Sequence, residues 1–397
     1  MKLEKLGRVT KNLDNKRIPL NSSQRDGKSK EGIYPYIGAN NIMGYINEYI
    51  FDEKILCLAE DGGSWGDGQI CANIYNEKCW VNNHAHVLTE NGKANLEYLR
   101  YFLNKEDLNE YITGSTRGKL TKTALENILV PLPPIADQLH IANLLSKAEN
   151  LISQRKQSIA LLDEFLKSTF LEMFGDPVRN EKGWKLKLLS DYGKSRLGKM
   201  LDGKQIIGNN LKPYLRNSNV QWFSFKLDDL LEMDFDEKDK LEFSLKYGDI
   251  LMCEGGEIGR CAIWKNQLQD CYFQKAIHRI RINKELALAE YFVYMFRLYT
   301  SNGGLKMYMG AATISHLTGE NLKKLKLPIP PIELQTQFAQ IVEKTEALKV
   351  QYQSSLQELE NLYGSLSQRA FRGELTLNQA EEQVLMAAEP ESQYNKL

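Results

Sequence analysis

Two stretches of the chain, 135–173 and 332–371, repeat apolar residues at steps of three and four. In the first these include Leu144, Ala148, Leu151, Ile159, Leu162, Phe165 or Leu166, and Met173. In the second they include Phe338, Ile341, Leu348, Tyr352, Leu359, Leu362 and Leu366. That period predicts two amphipathic helices, each roughly 55–60 Å long at about 1.5 Å per residue. Gly364 is the one glycine or proline inside either stretch, and polar residues (Arg155 or Ser158, and Ser355) break the stripes in the middle. Each stripe needs a cover, and the other helix can supply it. Antiparallel pairing would bring the intervening globular stretches out at opposite ends of a rod. The alternative is that each helix lies on its own globular stretch.

The rest of the chain reads differently. In 1–134, short runs such as KILCLAE and CWVNNHAHVLT are broken by the glycine cluster GGSWGDG, which predicts irregular, strand-rich structure. NLEYLRYFLN (95–104) places Leu96, Leu99 and Phe102 or Leu103 on one side of a short helix, and KLTKTALENILVPLPP predicts a turn, a short helix and a strand stopped by prolines. The stretch 177–331 repeats this order: YGDILM and AIHRIRI as strands, AEYFVYMFRLY as a helix, then HLTGENLKKLKLPIPP. The proline-led words themselves recur, PLPPIADQLHI at 131–141 and PIPPIELQTQF at 328–338, an offset of 197 in a chain of 397 residues. The molecule is therefore a duplication, two similar globular heads each followed by a long helix.

Composition adds limits. Hydrophobic content of 42% and charged content of 26% are those of a soluble globular protein, and no run approaches 18 apolar residues, so no membrane span is expected. The N-terminus has no apolar core of a signal peptide, and the six cysteines form no CxxC pair; free buried thiols and a cytoplasmic location are expected. Net charge is zero but unevenly spread: residues 1–31 carry nine Lys/Arg against four Asp/Glu, whereas 374–397 carries five Glu and one Lys. With −1 and −2 on the helical stretches and −4 on the tail, +7 remains on the heads, so a basic face inside a neutral chain stays open.

No catalytic constellation is present: there is no P-loop, no HExxH and no strand–GxGxxG–helix order. His84 and His86, two apart on a predicted strand, share a face, but no carboxylate or cysteine pattern completes a metal site. What remains is a surface rich in Asn, Arg, Lys, His and aromatics. In the first head it comprises Tyr34, Tyr36, Asn40, Asn41, Trp65, Asn82, Asn83, His84, Arg117, Lys119 and Lys122; in the second, Arg216, Asn217, Asn219, Trp222, Arg260, Gln274, Lys275, His278, Lys306 and His316. Arg and Lys bind phosphate or guanine edges, and Asn and Gln pair with adenine. The same residue types suit a wet protein interface, so DNA binding, a protein scaffold and an enzyme with an unrecognised site all stand at this level. Asn40 and Asn41 also suit a turn, the glycines tight turns, and Arg216 and Asn219 a role in holding their domain together.

The words YPYIGANNIMGYI (34–46), LAEDGGSWG (58–66), WVNNHAHVL (80–88), LPPIADQLHIANLL (132–145), STFLEMFGDPVRNEKGW (168–184), YLRNSNV (214–220), YGDILMCEGG (247–256), GRCAIW (259–264) and HLTGENLKKLKLPIPPIELQTQF (316–338) resemble the specificity subunit of type I restriction–modification systems. The resemblance spans nearly the whole chain. It implies an α+β protein with two target recognition domains, joined by long antiparallel helices in a coiled coil with overall pseudo-two-fold symmetry. The implied domains are 1–134 and 176–331 for recognition, 135–175 and 332–373 as spacer helices, and 374–397 as an acidic tail, peripheral or disordered. It further implies double-stranded DNA as ligand, read as two unlike half-sites; two methyltransferase subunits docked on the helices; and restriction subunits in the full complex. No catalysis and no cofactor would belong to this chain, S-adenosylmethionine, ATP and magnesium being used by the partners.

Overall fold

The computed structural model describes residues 1–114, 116–200, 208, 210–306 and 316–377. Contacts divide the chain into two compact units, Met1–Lys156 with Ser354–Leu397, and Gln157–Gln353.

The first unit begins with β1 (Leu3–Lys5), α1 (Leu6–Val9), β2 (Thr10–Asn12), α2 (Ser22–Lys28), β3 (Tyr34–Ile37) and β4 (Ile42–Ile46). It continues with β5 (Ile55–Ala59), β6 (Ala72–Tyr75), β7 (Trp80–Val81), β8 (Ala85–Glu90), α3 (Leu96–Lys105), β9 (Ile112–Thr113), β10 (Lys119–Leu120), α4 (Lys122–Asn127), β11 (Leu129–Pro131) and the start of α5 (Ile135–Phe174). An antiparallel sheet runs β2-β8-β5-β6, and a second runs β4-β3-β7, in which β3 and β7 are parallel. The all-apolar β5 is buried along its whole length, as expected of a strand covered on both faces. The second unit holds β12 (Lys185–Leu188), α6 (Leu189–Tyr192), β13 (Gly193–Leu197), β14 (Leu211–Leu215), β15 (Leu231–Asp234), α7 (Glu237–Phe243) and β16 (Ile250–Cys253). Then come β17 (Cys261–Ile263), β18 (Tyr272–Phe273), β19 (Ile277–Ile282), α8 (Ala289–Ser301), α9 (Gly319–Lys323), β20 (Lys326–Ile329) and the start of α10 (Ile332–Phe371). Its sheets β13-β19-β16-β17 and β15-β14-β18 repeat the first unit's order, including the parallel pair. The duplication is thus one of strand topology.

Matching side chains hold matching places. Tyr98 and Tyr291 donate through Oη to the carbonyls of Pro131 and Pro328, at 2.7 and 2.9 Å. Thr121 and Thr318 cap α4 and α9, accepting from the N–H groups of Ala124 and Asn321. Gln138 and Gln335, 197 residues apart, each reach back from the first turn of a long helix. Gln138 Oε1 accepts from Asn95 N–H and Gln335 Oε1 from Leu288 N–H, both at 2.9 Å. These N–H groups stand just before α3 and α8, where no helical acceptor is available.

In the first unit, Ile141, Ala142 and Leu145 of α5 and Ala370 of α10 are buried together, with Phe371 edge-on to Phe102. Lys156 pairs with Glu360, and Asp137 accepts from Leu377 N–H, so the helix segments run antiparallel there. Residues 374–377 follow the helix closely, Leu375 lying on the core; the rest of the expected acidic tail, 378–397, lies outside the described residues. In the second unit Phe170 and Phe174 of α5 meet Phe338 of α10, and Asp163 pairs with Lys349, again antiparallel.

The stripe expectation needs correction in phase. Leu151 and Leu362 are 50% and 49% exposed. Where the sequence offers two adjacent apolar residues, the neighbours turn inward at three places, Leu145 rather than Leu144, Ile152 rather than Leu151, and Tyr363 rather than Leu362, while Ile341 packs on the core beside the more deeply buried Val342. Ile159, Leu162, Leu348 and Leu359 are half-buried, and Phe338 is fully buried.

Candidate nucleic-acid interface

In the first head, the ends of β3, β5 and β7 and the turn before β10 supply the candidate side chains. β3 and β4 form a hairpin closed by Gly38 N–H donating to Asn41 O at 2.9 Å, and the Asn40 carbonyl accepts from Asn73. Asn40 and Asn41 therefore build this turn, and Asn41 is exposed. After β7, Asn82 is 3% exposed and its Oδ1 accepts from His84 N–H at 2.7 Å, a local turn that leaves Asn83 outward. Asn82 is thus a turn-former rather than a surface contact.

Only one of the two histidines, His86, lies on a strand. His84 precedes β8 and its Nδ1 lies 2.7 Å from Asp61 Oδ1. His86 is 1% exposed, between Asp14 Oδ2 at 2.6 Å and the Leu120 carbonyl at 2.8 Å. Its counterpart His278 meets the Leu317 carbonyl at 2.9 Å, but Nδ1 has no partner among the described residues. No group of three or more metal-ligating side chains occurs among them.

Asp61 Oδ1 also accepts from Arg117 Nη2 at 2.8 Å. Glu60 pairs with Arg17 at 2.6 Å and with Lys119 at 3.1 Å. The structure thus gathers His84, Arg117 and Lys119 around two adjacent carboxylates, while Lys122 stands on α4 near Glu126. Sequence reasoning missed Asp14, Arg17, Glu60 and Asp61. Trp65 is also corrected: it is 5% exposed and its Nε1 donates to the Ala59 carbonyl, so the glycine loop folds its indole into the core.

In the second head, Asn219 is fully buried, donating to Asp229 Oδ1 at 2.7 Å and the Lys226 carbonyl at 3.0 Å. Arg216 donates to the Asp229 carboxylate and carbonyl. Arg260 is mostly buried, spanning Glu257 and the Asn217 carbonyl. These three hold loops together, which removes Asn219 and Arg260 from the exposed candidates. Lys275 and Lys306 are exposed. An open groove of about 680 Å³ within this unit is lined by Trp222, Phe223, Tyr294, Arg297 and Lys349. Trp222 lies under Arg297 at 4.8 Å.

Burial at one site and hydrogen bonding at another set two acid sensitivities. Desolvation holds the His278 imidazole below its ordinary value of 6.5, against the opposing effects of the Leu317 carbonyl and Glu254. The unfolded chain therefore takes up this proton first, and stability present above 6.5 is lost as pH falls below it. At Asp14 burial would raise the carboxyl, but hydrogen bonds from His86 and Val87 N–H hold it below 3.8, so its contribution is lost only in stronger acid. Thermal unfolding measured between about pH 7 and pH 5 is expected to show a falling midpoint that is flatter in His278→Gln; equal slopes would contradict this.

The family described as "Type I restriction modification DNA specificity domain" matches residues 2–162 and again 181–361. The chain belongs to this family. The specificity subunit is similar along most of its length to curated relatives. A Haemophilus influenzae protein named as a type I restriction enzyme specificity subunit is 29% identical over 86% of this chain and 87% of that one. The MjaVIII specificity subunit of Methanocaldococcus jannaschii is 22% identical over 80% of each. The crystal structure of a type I S subunit from M. genitalium shares the fold at a TM-score of 0.60 and 13% identity, covering 93% of this chain and 96% of that one. The duplicated heads are therefore two recognition domains. Among the described residues no helix is long and apolar enough to cross a membrane.

Proposed function

We propose that each recognition domain reads one half of a split, asymmetric target in double-stranded DNA, without catalysis by this chain. The carrying observation is a duplicated strand frame whose loops carry different side chains: Asn83, His84, Arg117 and Lys119 in one head, Lys275 and Lys306 in the other. A shared frame gives both heads one way of approaching the duplex, and unlike loops give unlike half-sites. The long helices set the unread spacer by their stiffness and dock two methyltransferase subunits. Large apolar side chains left outward on them, Leu151, Leu161, Phe165, Val350 and Leu362, support that docking role. The partners supply S-adenosylmethionine-dependent adenine methylation and, with restriction subunits, ATP- and magnesium-dependent cleavage. They also supply phosphate contacts, which fits the zero net charge of this chain.

The test is binding of target and random duplexes by the chain with and without its cognate methyltransferase subunits. Sequence-specific binding that strengthens with the partner is expected; equal binding of all duplexes would sink the proposal. Lys119→Ala is expected to weaken binding uniformly across sequences and to lower the salt slope by about 1. An unchanged slope would remove Lys119 from the phosphate contacts.

A further inference from the structure

The two recognition domains can be matched position by position through backbone hydrogen bonds. Glu60 N–H donates to His84 O, and Glu254 N–H to Ala276 O. Leu120 N–H donates to Glu60 O, and Leu317 N–H to Glu254 O. These pairs set Asp61 against Gly255, His84 against Ala276, Lys119 against His316, and Gly62 against Gly256. The last two share left-handed backbone, at φ 63° and 72°.

The side chains at these places differ in kind. In the first head the Arg117 guanidinium turns its Nε–Nη2 edge toward Gly62, where a Cβ would stand 3.1 Å from Nη2 and 3.2 Å from Nε. One end is tied to Asp61, which also holds His84 through the same oxygen. Arg117 nevertheless keeps 62% of its side chain exposed, whereas Asp61 keeps 18%. The guanidinium is thus held along one edge and open elsewhere. In the second head no carboxylate stands at the Asp61 position, and the His316 ring lies over Gly255, where a Cβ would be 2.8 Å from Nδ1.

Resting on the DNA-reading function above, we propose that Asp61 is a positioning residue that aims Arg117 at a guanine edge in the half-site of the first head. The second head reads its half-site without such a clamp, through Gly255 and His316. Arginine recognises guanine by a two-pronged bond to O6 and N7, which requires an oriented fork. Asp61 supplies the orientation, and its negative charge disfavours phosphate held without a matching base. The clamp therefore trades non-specific attraction for discrimination.

The experiment uses the full chain assembled with its cognate methyltransferase subunits. Affinities for target and random duplexes and the genomic methylation motif are measured for wild type, Asp61→Asn and Arg117→Lys. Both variants are expected to lower the target-to-random affinity ratio about five- to 150-fold. Asp61→Asn should bind random duplex more tightly than wild type, and the motif should become degenerate at one guanine of one half-site, the other half-site unchanged. Asp61→Asn weakening target and random binding in parallel, blurring both half-sites, or leaving the ratio unchanged would overturn the clamp alone. A wild-type complex without sequence preference would overturn the DNA-reading function itself, and the clamp with it.

Discussion

Phe338→Ala is expected to cost about 3–5 kcal/mol of folding free energy, the range for deleting a fully buried aromatic ring. Phe338 is completely buried in the second unit. Its ring stands edge-on to Phe170, Phe174 and Tyr294 at 5.4, 5.5 and 5.3 Å. These four rings come from α5, α8 and α10, so one side chain joins both long helices to the recognition domain. Truncation leaves a cavity that cannot close without moving a helix, and edge-to-face contacts add to the loss of apolar burial. Denaturant unfolding should show the loss as a lower midpoint. Phe338→Leu, which refills much of the volume, should recover part of it, and a midpoint shift equivalent to less than about 1 kcal/mol for Phe338→Ala would contradict this picture.

Gln335→Leu and Gln138→Leu are expected to cost about 2–4 kcal/mol each, because several buried backbone groups lose partners together. Gln335 holds Leu288 N–H, the Pro330 carbonyl at 2.9 Å and the Leu286 carbonyl at 3.2 Å. Gln138 holds Asn95 N–H, the Pro133 carbonyl at 2.9 Å and the Lys93 carbonyl at 3.4 Å. Leucine fits the volume but offers no hydrogen bond, so packing is kept while the polar groups are stranded. Because the bonds match, the two losses should be of similar size, each confined to protection of amides in its own unit. Hydrogen exchange of the amides of Asn95 and Leu288 reads this directly. Slow exchange retained in both variants would show that the glutamines are dispensable.

These glutamines mark a limit of sequence reading. They are identical residues at the same place in the repeated proline words, a visible signal, yet their role depends on a backbone N–H more than 40 residues away. Repetition and period carried the architecture: the elements around NLEYLRYFLN and AEYFVYMFRLY, the two 40-residue helices and the strand before each proline word are all present. Phase was harder. Leu151 and Ile152 are equally apolar, and only contact with the rest of the unit decides which faces inward. Residue type alone did not separate surface from interior, and of the two roles open to Asn219 the structure has the one that holds its domain together. Trp65, on a glycine-rich loop, turned out to be core, and Asn219 in a surface-like LRNSNV word is a buried hub. Asp61 gave no local sign of its role, since its partners His84 and Arg117 lie 23 and 56 residues away.

The central claim is that one duplicated frame presents two different DNA-reading surfaces. Mapping methylated adenines in host DNA, with and without the gene for this chain, tests it most directly. The account predicts methylation at a split, non-palindromic motif of two unlike half-sites separated by a spacer of fixed length, lost when the gene is absent. A palindromic motif, or a methylation pattern independent of this chain, would contradict it.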